Sequence, residues 1–318
     1  MTQLQVKVLR KAQEAEGIAS FELGRADGAA LPAFSAGSHI DVQLPNGITR
    51  QYSLCNDAAE NHRYRIAVLR DAASRGGSAA MHDAVNVGDT LTISEPRNHF
   101  PLVHAQKSLL LAGGIGVTPL LCMAQRLAAI GSDFDMHYCT RSPQRTAFRD
   151  EIAQSAFAAK VKFHHDDGPP SQRFDAARVL AQPNAGTHLY VCGPTGFIDH
   201  VVNTAKAQGW APDHIHLEYF GAAPQDTSGD GGFDVKLASS GKVIRVEAQQ
   251  TVVQALQAAG VDVLTSCEQG VCGTCLTRVL EGECDHRDLY LTDEEKAAND
   301  QFLPCCSRAK GTMLVLDL

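Results

Sequence analysis

Four cysteines in the last third of the chain constrain its fold more strongly than any other feature. Four residues separate Cys267 from Cys272, two separate Cys272 from Cys275, and 29 separate Cys275 from Cys305. This is the plant-type spacing of the ligands of a [2Fe–2S] cluster. Such a site needs three thiolates from one tight loop and a fourth from a distant segment. The sequence therefore predicts a domain that folds around iron and sulfide and carries single electrons.

The residues around these cysteines support the same interpretation. Gly270 and Gly273 lie within the loop, where residues without a Cβ let the backbone curl around an inorganic core. A zinc site is the alternative, but zinc sites usually have two C-x₂₋₄-C pairs, which this loop with one remote partner does not match. Cys306 follows Cys305 directly. The 29-residue gap favours Cys305 as the ligand, since neighbouring strand residues point to opposite faces.

The length of 318 residues predicts two or three domains, because a single core rarely grows that large. No apolar run approaches about 18–20 residues, so we expect no membrane span. The first residues alternate like a strand and have no signal-peptide pattern. We therefore expect a cytoplasmic protein whose other cysteines are mostly buried thiols. Those cysteines are Cys55, Cys122, Cys139, Cys192 and Cys284.

The net charge of −8 is unevenly distributed along the chain. From Asp226 onward there are 15 acidic and 8 basic residues, whereas residues 1–225 carry 21 acidic and 20 basic residues. An acidic surface near the predicted cluster argues against nucleic acid as a partner. It suits attraction to a basic patch on a redox partner, although acidic residues kept for solubility would give the same balance.

Residues 1–104 have the pattern of an antiparallel β-barrel. Short runs that alternate apolar and polar residues are separated by turn signals such as Asp-Gly and Pro-Asn-Gly, which is typical of all-β domains. The runs cover residues 4–9, 18–23, 39–44, 50–54, 64–69 and 90–94.

One of these strands has residues that suit a phosphate and a flat ring. A strand over residues 50–54 places Arg50 and Tyr52 on one face and Ser53 on the other. An arginine two residues from a tyrosine can hold a phosphate while the aromatic ring lies against the ligand. The same residues also occur in ordinary barrel strands.

A glycine pair forms the second candidate phosphate site of this part. In the segment Ser74-Arg75-Gly76-Gly77-Ser78, adjacent glycines leave backbone N–H groups free. A short helix is predicted to follow with Ser78 as its N-cap, which is an anion-binding arrangement. A plain Gly-rich turn is the alternative.

Residues 105–222 alternate between apolar strands and helices, as in a parallel α/β domain. The apolar strand 107–112 runs into the Gly113–Gly116 turn and then into a helix, with Thr118 predicted as N-cap and Gly131 as its end. A strand, a glycine turn and a helix are the context for a pyrophosphate. Because the G-x-G-x-x-G fingerprint is absent, the ordinary dehydrogenase fold is disfavoured.

The rest of this part continues the alternation. A second turn, Cys192-Gly193-Pro194, follows the strand 188–192 and lies at the carboxyl edge of the predicted sheet, where ligands bind. The run His164–Asp167 has metal-binding residue types, but contiguous ligands do not converge easily, so we expect a solvated turn. Other strands are predicted over 134–139, 161–164 and 216–220, with helices over 147–157 and from 197 to about 208.

The segment 223–232 is a flexible, polar linker by composition. After it, residues 233–246 suggest a hairpin and residues 251–258 a helix. A capping box at Thr292–Glu295 begins a short helix. Strands are expected over 276–280 and 312–318.

These three parts, in this order, resemble the phthalate dioxygenase reductase family, which includes reductases of vanillate O-demethylase type. The resemblance covers essentially the whole chain. It implies an FMN-binding barrel over 1–104, a Rossmann-like NAD-binding domain over 105–222, a linker over 223–232 and a ferredoxin β-grasp domain over 233–318. The motifs that carry the resemblance are Arg50–Asn56, Ser74–Ser78, Gly113–Pro119, Cys192–Pro194, Asp285–Asp288 and Cys305–Arg308.

The resemblance also assigns residues to cofactors. It implies that Arg50 and the glycine turn bind the FMN phosphate. It also implies that Tyr52 and Ser53 contact the flavin ring and that Phe220 covers the flavin. It makes Thr118 and Cys192 the candidate catalytic residues, where nicotinamide and flavin meet. Tyr52 and Phe220 are alternatively plain core aromatics. The full cofactor-binding set is Arg50, Gln51, Tyr52, Ser53, Ala67, Val68, Leu69, Gly76, Gly77, Ser78, Gly113, Gly114, Gly116, Thr118, Cys192, Gly193, Pro194 and Phe220; the cluster ligands are Cys267, Cys272, Cys275 and Cys305.

The resemblance implies NADH as electron donor and a Rieske-type terminal oxygenase as acceptor, with no nucleic-acid or membrane partner and a monomeric chain. A flavin must lie between nicotinamide and cluster, because a hydride carries two electrons and the cluster accepts one. Arg141 could hold a 2′-phosphate, so NADPH stays open. A stand-alone NAD(P)H flavin oxidoreductase with a redox-sensing iron–sulfur domain is the alternative function.

Overall fold

The computed structural model describes residues 3–71, 76–222 and 225–318. Residues 1–218 and residues 219–318 form two compact units, which are considered separately below. In the described part of the chain, no helix combines the length and the apolar character needed to cross a membrane.

The first unit begins with a seven-stranded antiparallel sheet that closes into a barrel. The strand order is β4-β3-β6-β1-β2-β5, with β7 beside β3, and the end strands β4 and β5 contact each other. Side chains alternate between core and surface, so Ile40 and Val42 are fully buried while Gln43 is exposed. The elements are β1 (Gln3–Ala15), β2 (Ile18–Gly24), β3 (Ser38–Gln43), β4 (Thr49–Ser53), β5 (Tyr64–Leu69), α1 (Gly77–Ala84), β6 (Thr90–Ser94) and β7 (Arg97–Asn98).

The same unit continues into a five-stranded sheet in the order β10-β9-β8-β11-β12. Pairs β8–β9, β9–β10 and β8–β11 are parallel. In the central strand β8 the apolar residues 109–112 are all buried, because both faces of the sheet are covered. The elements are β8 (Lys107–Gly113), α2 (Val117–Ala129), β9 (Asp133–Thr140), α3 (Arg149–Gln154), β10 (Val161–His165), α4 (Ala176–Val179), β11 (Thr187–Gly193), α5 (Thr195–Ala207) and β12 (Ile215–Tyr219).

The second unit is a small mixed sheet with one helix packed on it. Its order is β14-β13-β19-β15-β17, with β13 and β19 parallel, and β16 pairs separately with β18. Capping boxes at Thr251 and Thr292 begin its two helices, and the second confirms the sequence prediction. The elements are β13 (Phe233–Leu237), β14 (Val243–Val246), α6 (Val252–Ala258), β15 (Thr277–Glu281), β16 (Cys284–Asp285), α7 (Asp293–Ala298), β17 (Gln301–Phe302), β18 (Arg308–Ala309) and β19 (Met313–Leu316).

Two local predictions for the first unit are wrong. The helix predicted over 147–157 is confined to α3, because Phe148 adopts a left-handed conformation (φ 57°) and a separate short turn follows at Ala158–Lys160. The strand predicted over 161–164 extends by one residue, so His165 belongs to β10, together with His164, rather than to a solvated turn. Pairing with β9 buries His165, whose Nδ1 lies 3.0 Å from Thr140 Oγ1.

The predicted linker is held to the second unit along its later part. Arg287 binds both carboxylate oxygens of Asp230 at 2.9 and 2.6 Å, and Arg308 Nε lies 3.4 Å from the same carboxylate. Arg308 also donates to Gly231 O at 3.0 Å, and Gln225 Nε2 donates to Arg287 O at 2.8 Å. The expectation of a flexible segment is therefore wrong for these residues, while positions 223 and 224 lie outside the described residues.

Candidate functional site

The four predicted cluster ligands converge in the second unit. Cys267, Cys272, Cys275 and Cys305 are each less than a tenth exposed. Their sulfurs contact one another in the pairs Cys267–Cys272, Cys275–Cys305 and Cys267–Cys305. Hydrogen bonds from the Cys272 and Cys305 thiols lower the pKa of Cys267. The structure thus brings together the residues that the sequence singled out.

The sulfurs form one connected group. Their contacts run from Cys272 to Cys267, from Cys267 to Cys305 and from Cys305 to Cys275. Among the described residues, no three His, Cys, Asp or Glu side chains are placed to hold a single metal ion. Four thiolates gathered in this way can ligate the two irons of a plant-type cluster.

Backbone and side-chain groups near the sulfurs complete the site. Gln269 N–H donates to Cys267 Sγ at 3.4 Å, and the Cys272 thiol donates to Thr274 Oγ1 at 3.3 Å. Gly270 has a φ of 74°, and a Cβ at that position would lie 2.5 Å from Cys306 Sγ. The loop therefore needs glycine there both for its conformation and for the close approach of the thiol.

A buried aspartate fixes the segment that crosses the cysteine loop. Asp288 is 2% exposed, and its carboxylate accepts hydrogen bonds from the backbone N–H groups of Tyr290 and Leu291 at 3.2 and 2.8 Å. Leu289 N–H donates to Gly270 O at 3.0 Å, which ties the two segments together. Sequence reasoning quoted Asp288 only within a motif and gave it no role.

The candidate flavin phosphate site lies where β4 meets α1. The Arg50 side chain crosses Gly77, where an added Cβ would lie 2.9 Å from Arg50 Cγ. Gly76 precedes the helix with a φ of 89°. The helix begins at Gly77, so the prediction of Ser78 as N-cap is wrong; Ser78 Oγ instead accepts from Asp71 N–H at 3.1 Å. Ser74 and Arg75 lie outside the described residues.

This corner has the donors that a phosphate needs. An arginine and the start of a helix bring positive charge and the positive end of the helix dipole to one place. The lack of a Cβ at Gly77 lets the Arg50 side chain pack directly against the start of the helix. Because the site brings a guanidinium to a helix N-terminus, the residues present fit an FMN phosphate.

The other residues predicted to bind the flavin lie on β4 and β5, except for Phe220. The register with β3 pairs Ile40 with Tyr52 and His39 with Ser53, which places Tyr52 and Ser53 on opposite faces. Tyr52 is half-buried and packs against the barrel core, whereas Phe220 lies beyond the end of β12 and is 40% exposed. Phe220 is therefore no core aromatic. Gln51 lies between Arg50 and Tyr52 in β4 and is half-buried, and on β5 Ala67 and Val68 are buried whereas Leu69 is 40% exposed.

The candidate nucleotide site lies at the carboxyl edge of the parallel sheet. The turn Gly114–Gly116 follows β8, and a Cβ on Gly116 would lie 2.3 Å from Cys192 O, so the ends of β8 and β11 touch here. A Cβ on Gly113 would lie 3.0 Å from Pro194 Cδ, and a Cβ on Gly193 would lie 2.9 Å from Gly113 Cα. Ligands of open α/β sheets bind at this edge.

The two candidate catalytic residues are both buried at this edge. The helix begins at Val117 after Gly116, so the prediction of Thr118 as N-cap is wrong. A 3-10 turn over Gly114–Gly116 leads directly into the helix, and Thr118 Oγ1 donates a hydrogen bond to Ile115 O at 3.1 Å. Burial raises the pKa of Cys192 well above its ordinary value, so its thiol stays neutral.

Sequence reasoning missed a carboxyl group beside these residues. Ser53 Oγ donates to Glu218 Oε2 at 3.3 Å, which joins β4 to β12. Desolvation raises the pKa of Glu218 to about 8, and the same carboxyl raises the pKa of Cys192. Strands from two different sheets thus bring Ser53, Cys192 and Glu218 close together. No local sequence signal marks this contact, because it depends on packing between distant segments.

Two further acidic residues directly follow β10. Asp166 and Asp167 are exposed, and their N–H groups donate to Thr140 O and Arg141 O at 3.1 and 3.0 Å. The turn that carries them is thus hydrogen-bonded to the backbone of Arg141, the residue considered for a 2′-phosphate. For these two residues, unlike the histidines before them, the predicted solvated turn is correct.

Comparisons with known proteins agree with this architecture. Residues 235–310 match the family described as 2Fe-2S iron-sulfur cluster binding domain. Residues 98–215 match the family described as dimethylamine monooxygenase subunit DmmA-like, N-terminal domain.

Full-length relatives extend the match to the whole chain. The vanillate O-demethylase oxidoreductase of Pseudomonas sp. (strain HR199 / DSM 7063) is 57% identical over 305 residues, with 96% of each chain covered. The phthalate dioxygenase reductase of Burkholderia cepacia is 43% identical over 317 residues, with 99% of this chain and 97% of that one covered. A solved structure of phthalate dioxygenase reductase matches with a TM-score of 0.80 and 43% identity over 99% of this chain and 98% of that one.

The fold, the cysteine site and these relatives define the class: the protein is an oxidoreductase of the kind that serves as reductase in oxygenase systems. More narrowly, the chain belongs to the phthalate dioxygenase reductase family, which includes vanillate O-demethylase oxidoreductases. The predicted fold class, a barrel followed by a parallel α/β sheet and a ferredoxin-type domain, is confirmed.

Proposed function

We propose that the protein is the NADH-dependent reductase component of a Rieske-type aromatic oxygenase or O-demethylase, with FMN and a [2Fe–2S] cluster as its cofactors. The observation that carries this proposal is the convergence of four buried cysteine sulfurs at one site, in a chain that also has a candidate phosphate site and a candidate nucleotide site. Relatives named as vanillate O-demethylase oxidoreductase and phthalate dioxygenase reductase support the choice of partner.

Arg50, Gly76 and Gly77 would hold the FMN phosphate, and Tyr52 and Ser53 the ring. Bound FMN would take up a hydride as an electron pair and pass the electrons on singly. The chain would contribute binding and orientation: the Arg50 guanidinium would neutralise the phosphate, and the residues of β4 would hold the ring. FMN rather than FAD is supported by the family branch in which the ferredoxin domain is C-terminal.

Ser53 and Glu218 hold a proton at the edge where the reacting rings would meet. Because the pKa of Glu218 is raised to about 8, its carboxyl is protonated at neutral pH and can both donate and accept hydrogen bonds. Ser53 donates to one of its oxygens, so the hydroxyl and the carboxyl orient each other. The buried, neutral Cys192 thiol excludes water from the same corner.

The acidic residues that follow β10, at the carboxyl edge of the parallel sheet, support NADH rather than NADPH as the electron donor. The turn that carries the exposed residues Asp166 and Asp167 is hydrogen-bonded to the backbone of Thr140 and Arg141, so a 2′-phosphate bound near Arg141 would meet two nearby negative charges together with the positive one, whereas a ribose hydroxyl would not be repelled. We expect kcat/KM for NADH to exceed that for NADPH by about tenfold or more, since one unfavourable charge contact costs on the order of 1–2 kcal/mol. The double variant Asp166→Asn/Asp167→Asn should lower the ratio of kcat/KM for NADH to kcat/KM for NADPH. An unchanged ratio would show that neither aspartate contributes to the choice of nucleotide.

The direct test of the proposal is reconstitution. The purified protein, with bound flavin and iron measured, is mixed with purified Rieske-type oxygenases and candidate aromatic acids, and NADH oxidation is measured with product formation. Product that depends on the reductase, NADH and the oxygenase together supports the proposal. NADH oxidation that reduces dyes but no oxygenase would support the stand-alone flavin oxidoreductase. We further propose a cytoplasmic protein, because its ten cysteines form no disulfide, and a monomeric one, as the family resemblance implies.

A further inference from the structure

Arg65 joins the barrel to the parallel sheet of the first unit, and the account so far gives it no role. It lies on β5, and its side chain is only 10% exposed. Its guanidinium binds both carboxylate oxygens of Glu151, in the first turn of α3, at 2.7 Å each. Glu151 also accepts a hydrogen bond from Gln125 Nε2 on α2 at 3.5 Å. A barrel strand is thus bound to two helices of the α/β part.

The same guanidinium holds the segment that follows β4. Arg65 Nη2 donates to Cys55 O at 3.2 Å, and Arg65 N–H donates to Asn56 Oδ1 at 2.8 Å. Cys55 N–H in turn donates to Arg65 O at 2.8 Å. Cys55 comes two residues after Ser53, which is predicted to contact the flavin ring. Arg65 therefore fixes the end of the strand that carries the predicted flavin residues.

On its other side, Arg65 contacts the end of the segment between β9 and α3. This segment, residues 141–148, begins with Arg141, the residue considered for a 2′-phosphate, and is called the nucleotide segment below. Thr146 Oγ1 lies 2.8 Å from Thr140 Oγ1 at the end of β9, which holds the segment to the sheet. Phe148 closes it with a left-handed backbone (φ 57°), a conformation that surrounding contacts must stabilise. The Arg65 guanidinium provides one such contact, 4.9 Å from the Phe148 ring centre.

The ion pair is not needed merely to keep the two parts together. Cys55 and Ala67 of the barrel belong to one hydrophobic core with Val117 and Leu121 of α2. Apolar packing of this kind is strong but has no preferred direction. A bidentate pair between a guanidinium and a carboxylate fixes direction as well as distance. The pair therefore adds a defined orientation to a contact that packing already stabilises.

We propose that Arg65 and Glu151 are positioning residues, whose ion pair sets the placement of the nucleotide segment relative to β4 for hydride transfer. The inference rests on the proposed function, since in that step a hydride, a proton with two electrons, leaves NADH as NAD⁺ and passes to FMN. Such a transfer requires close and aligned reacting atoms, so a small misplacement slows it strongly. Binding of each cofactor depends on other residues and should change little.

The test uses Glu151→Gln, which keeps the shape and removes the charge, and Arg65→Ala, which removes the whole contact. Asp150→Asn is the matched control, because it removes the same charge from an exposed position in the same turn of α3. Each flavin-loaded protein is mixed rapidly with NADH without oxygen. The rate of flavin reduction is measured over a range of NADH concentrations, together with the long-wavelength charge-transfer absorbance of the stacked nicotinamide and flavin.

We expect the limiting rate of flavin reduction to fall by about tenfold in Arg65→Ala and by about threefold in Glu151→Gln. The charge-transfer absorbance should weaken in both variants, while the dissociation constant of NADH and the flavin content stay within about twofold of wild type. Arg65→Lys should recover part of the rate, because it keeps the charge but loses the bidentate geometry. Asp150→Asn should match the wild type in every measurement. If Arg65→Ala does not fold, Glu151→Gln and Arg65→Lys decide the matter.

Three results would overturn the inference. A wild-type limiting rate and charge-transfer absorbance in Glu151→Gln and Arg65→Lys, even with a lower Tm, would show that the pair only stabilises the fold. Weaker NADH binding at an unchanged limiting rate would assign the pair to nucleotide binding. An equal loss of rate in Asp150→Asn would show a general effect of charge on α3. A wild-type protein whose flavin NADH does not reduce is a different result, because it contradicts the proposed function itself.

Discussion

Replacing Glu218 by Gln tests the carboxyl group that joins β4 to β12. Desolvation raises its pKa from 4.5 to about 8. A raised pKa means that the folded protein binds this proton more tightly than the unfolded chain does. The contribution of the group to stability is therefore complete below the unfolded pKa near 4.5 and is lost progressively as the pH rises toward 8. Gln cannot ionise, so the variant escapes that loss.

The magnitude follows from the shift. Each pKa unit corresponds to 1.36 kcal/mol, so the wild type has lost roughly 3 kcal/mol at pH 7. Because the side chain is only half-buried, we halve this figure to about 1–2 kcal/mol, which is about 2–6 °C in Tm for a unit of this size. The Gln variant should thus be more stable than wild type at pH 7–8 and equal to it near pH 4.5.

The assay is thermal unfolding of both flavin-saturated proteins across pH 4.5–8.5. Subtracting the two curves removes the titration of all other groups, including buried His39, whose pKa is lowered to about 4. We expect the difference in Tm to open between pH 5 and 8 and then to level off. Ser53→Ala, which removes the hydrogen bond that opposes the shift, should move the wild-type loss to higher pH. Parallel curves for wild type and Glu218→Gln would refute the reasoning.

Three other predictions concern the flow of electrons, the flavin and the linker. Cys272→Ser should leave NADH-driven dye reduction intact and abolish delivery to the oxygenase; equal loss of both activities would contradict the separate roles. Arg50→Ala should release FMN. We expect its dissociation constant to rise by about tenfold or more, because a charge-assisted contact is worth about 1.5–3 kcal/mol, and we expect Arg50→Lys to weaken binding less. Full flavin retention in the alanine variant would show that Arg50 does not bind the flavin. Asp230→Ala should leave Arg287 and Arg308 without their shared carboxylate and make residues 225–232 more sensitive to limited proteolysis, whereas an unchanged digestion pattern would show that the ion pairs do not hold the segment.

Features encoded in local spacing could be predicted from the sequence. The cysteine interval singled out the four residues whose sulfurs converge, because a plant-type cluster needs three thiolates from a tight loop and one from a distant segment. The apolar run before Gly113 identified the central buried strand, because a strand covered on both faces is mostly apolar. The end of α2 near Gly131 was also predictable, since its φ of 68° suits glycine.

Features that depend on tertiary contact were not predictable. Nothing local distinguishes Glu218 from any other strand residue, and its shifted pKa arises from burial beside Ser53. The segment around Asp230 has the composition of a linker, yet two arginines much later in the chain hold it in place. The predicted start of α2 was wrong because Thr118 is a favourable N-cap residue. The helix already begins at Val117, directly after the three-residue turn Gly114–Gly116, and that turn has no sequence signature.

The central claim is that electrons pass from NADH through flavin to the cysteine-bound cluster, and rapid mixing without oxygen tests it most directly. The wild-type protein is mixed with NADH while flavin absorbance and the signal of the reduced cluster are followed together. The account predicts that flavin bleaching comes first and that the cluster is then reduced faster than the enzyme turns over with its oxygenase. A cluster that stays oxidised while the flavin turns over, or a protein that binds no iron and sulfide, would contradict the account.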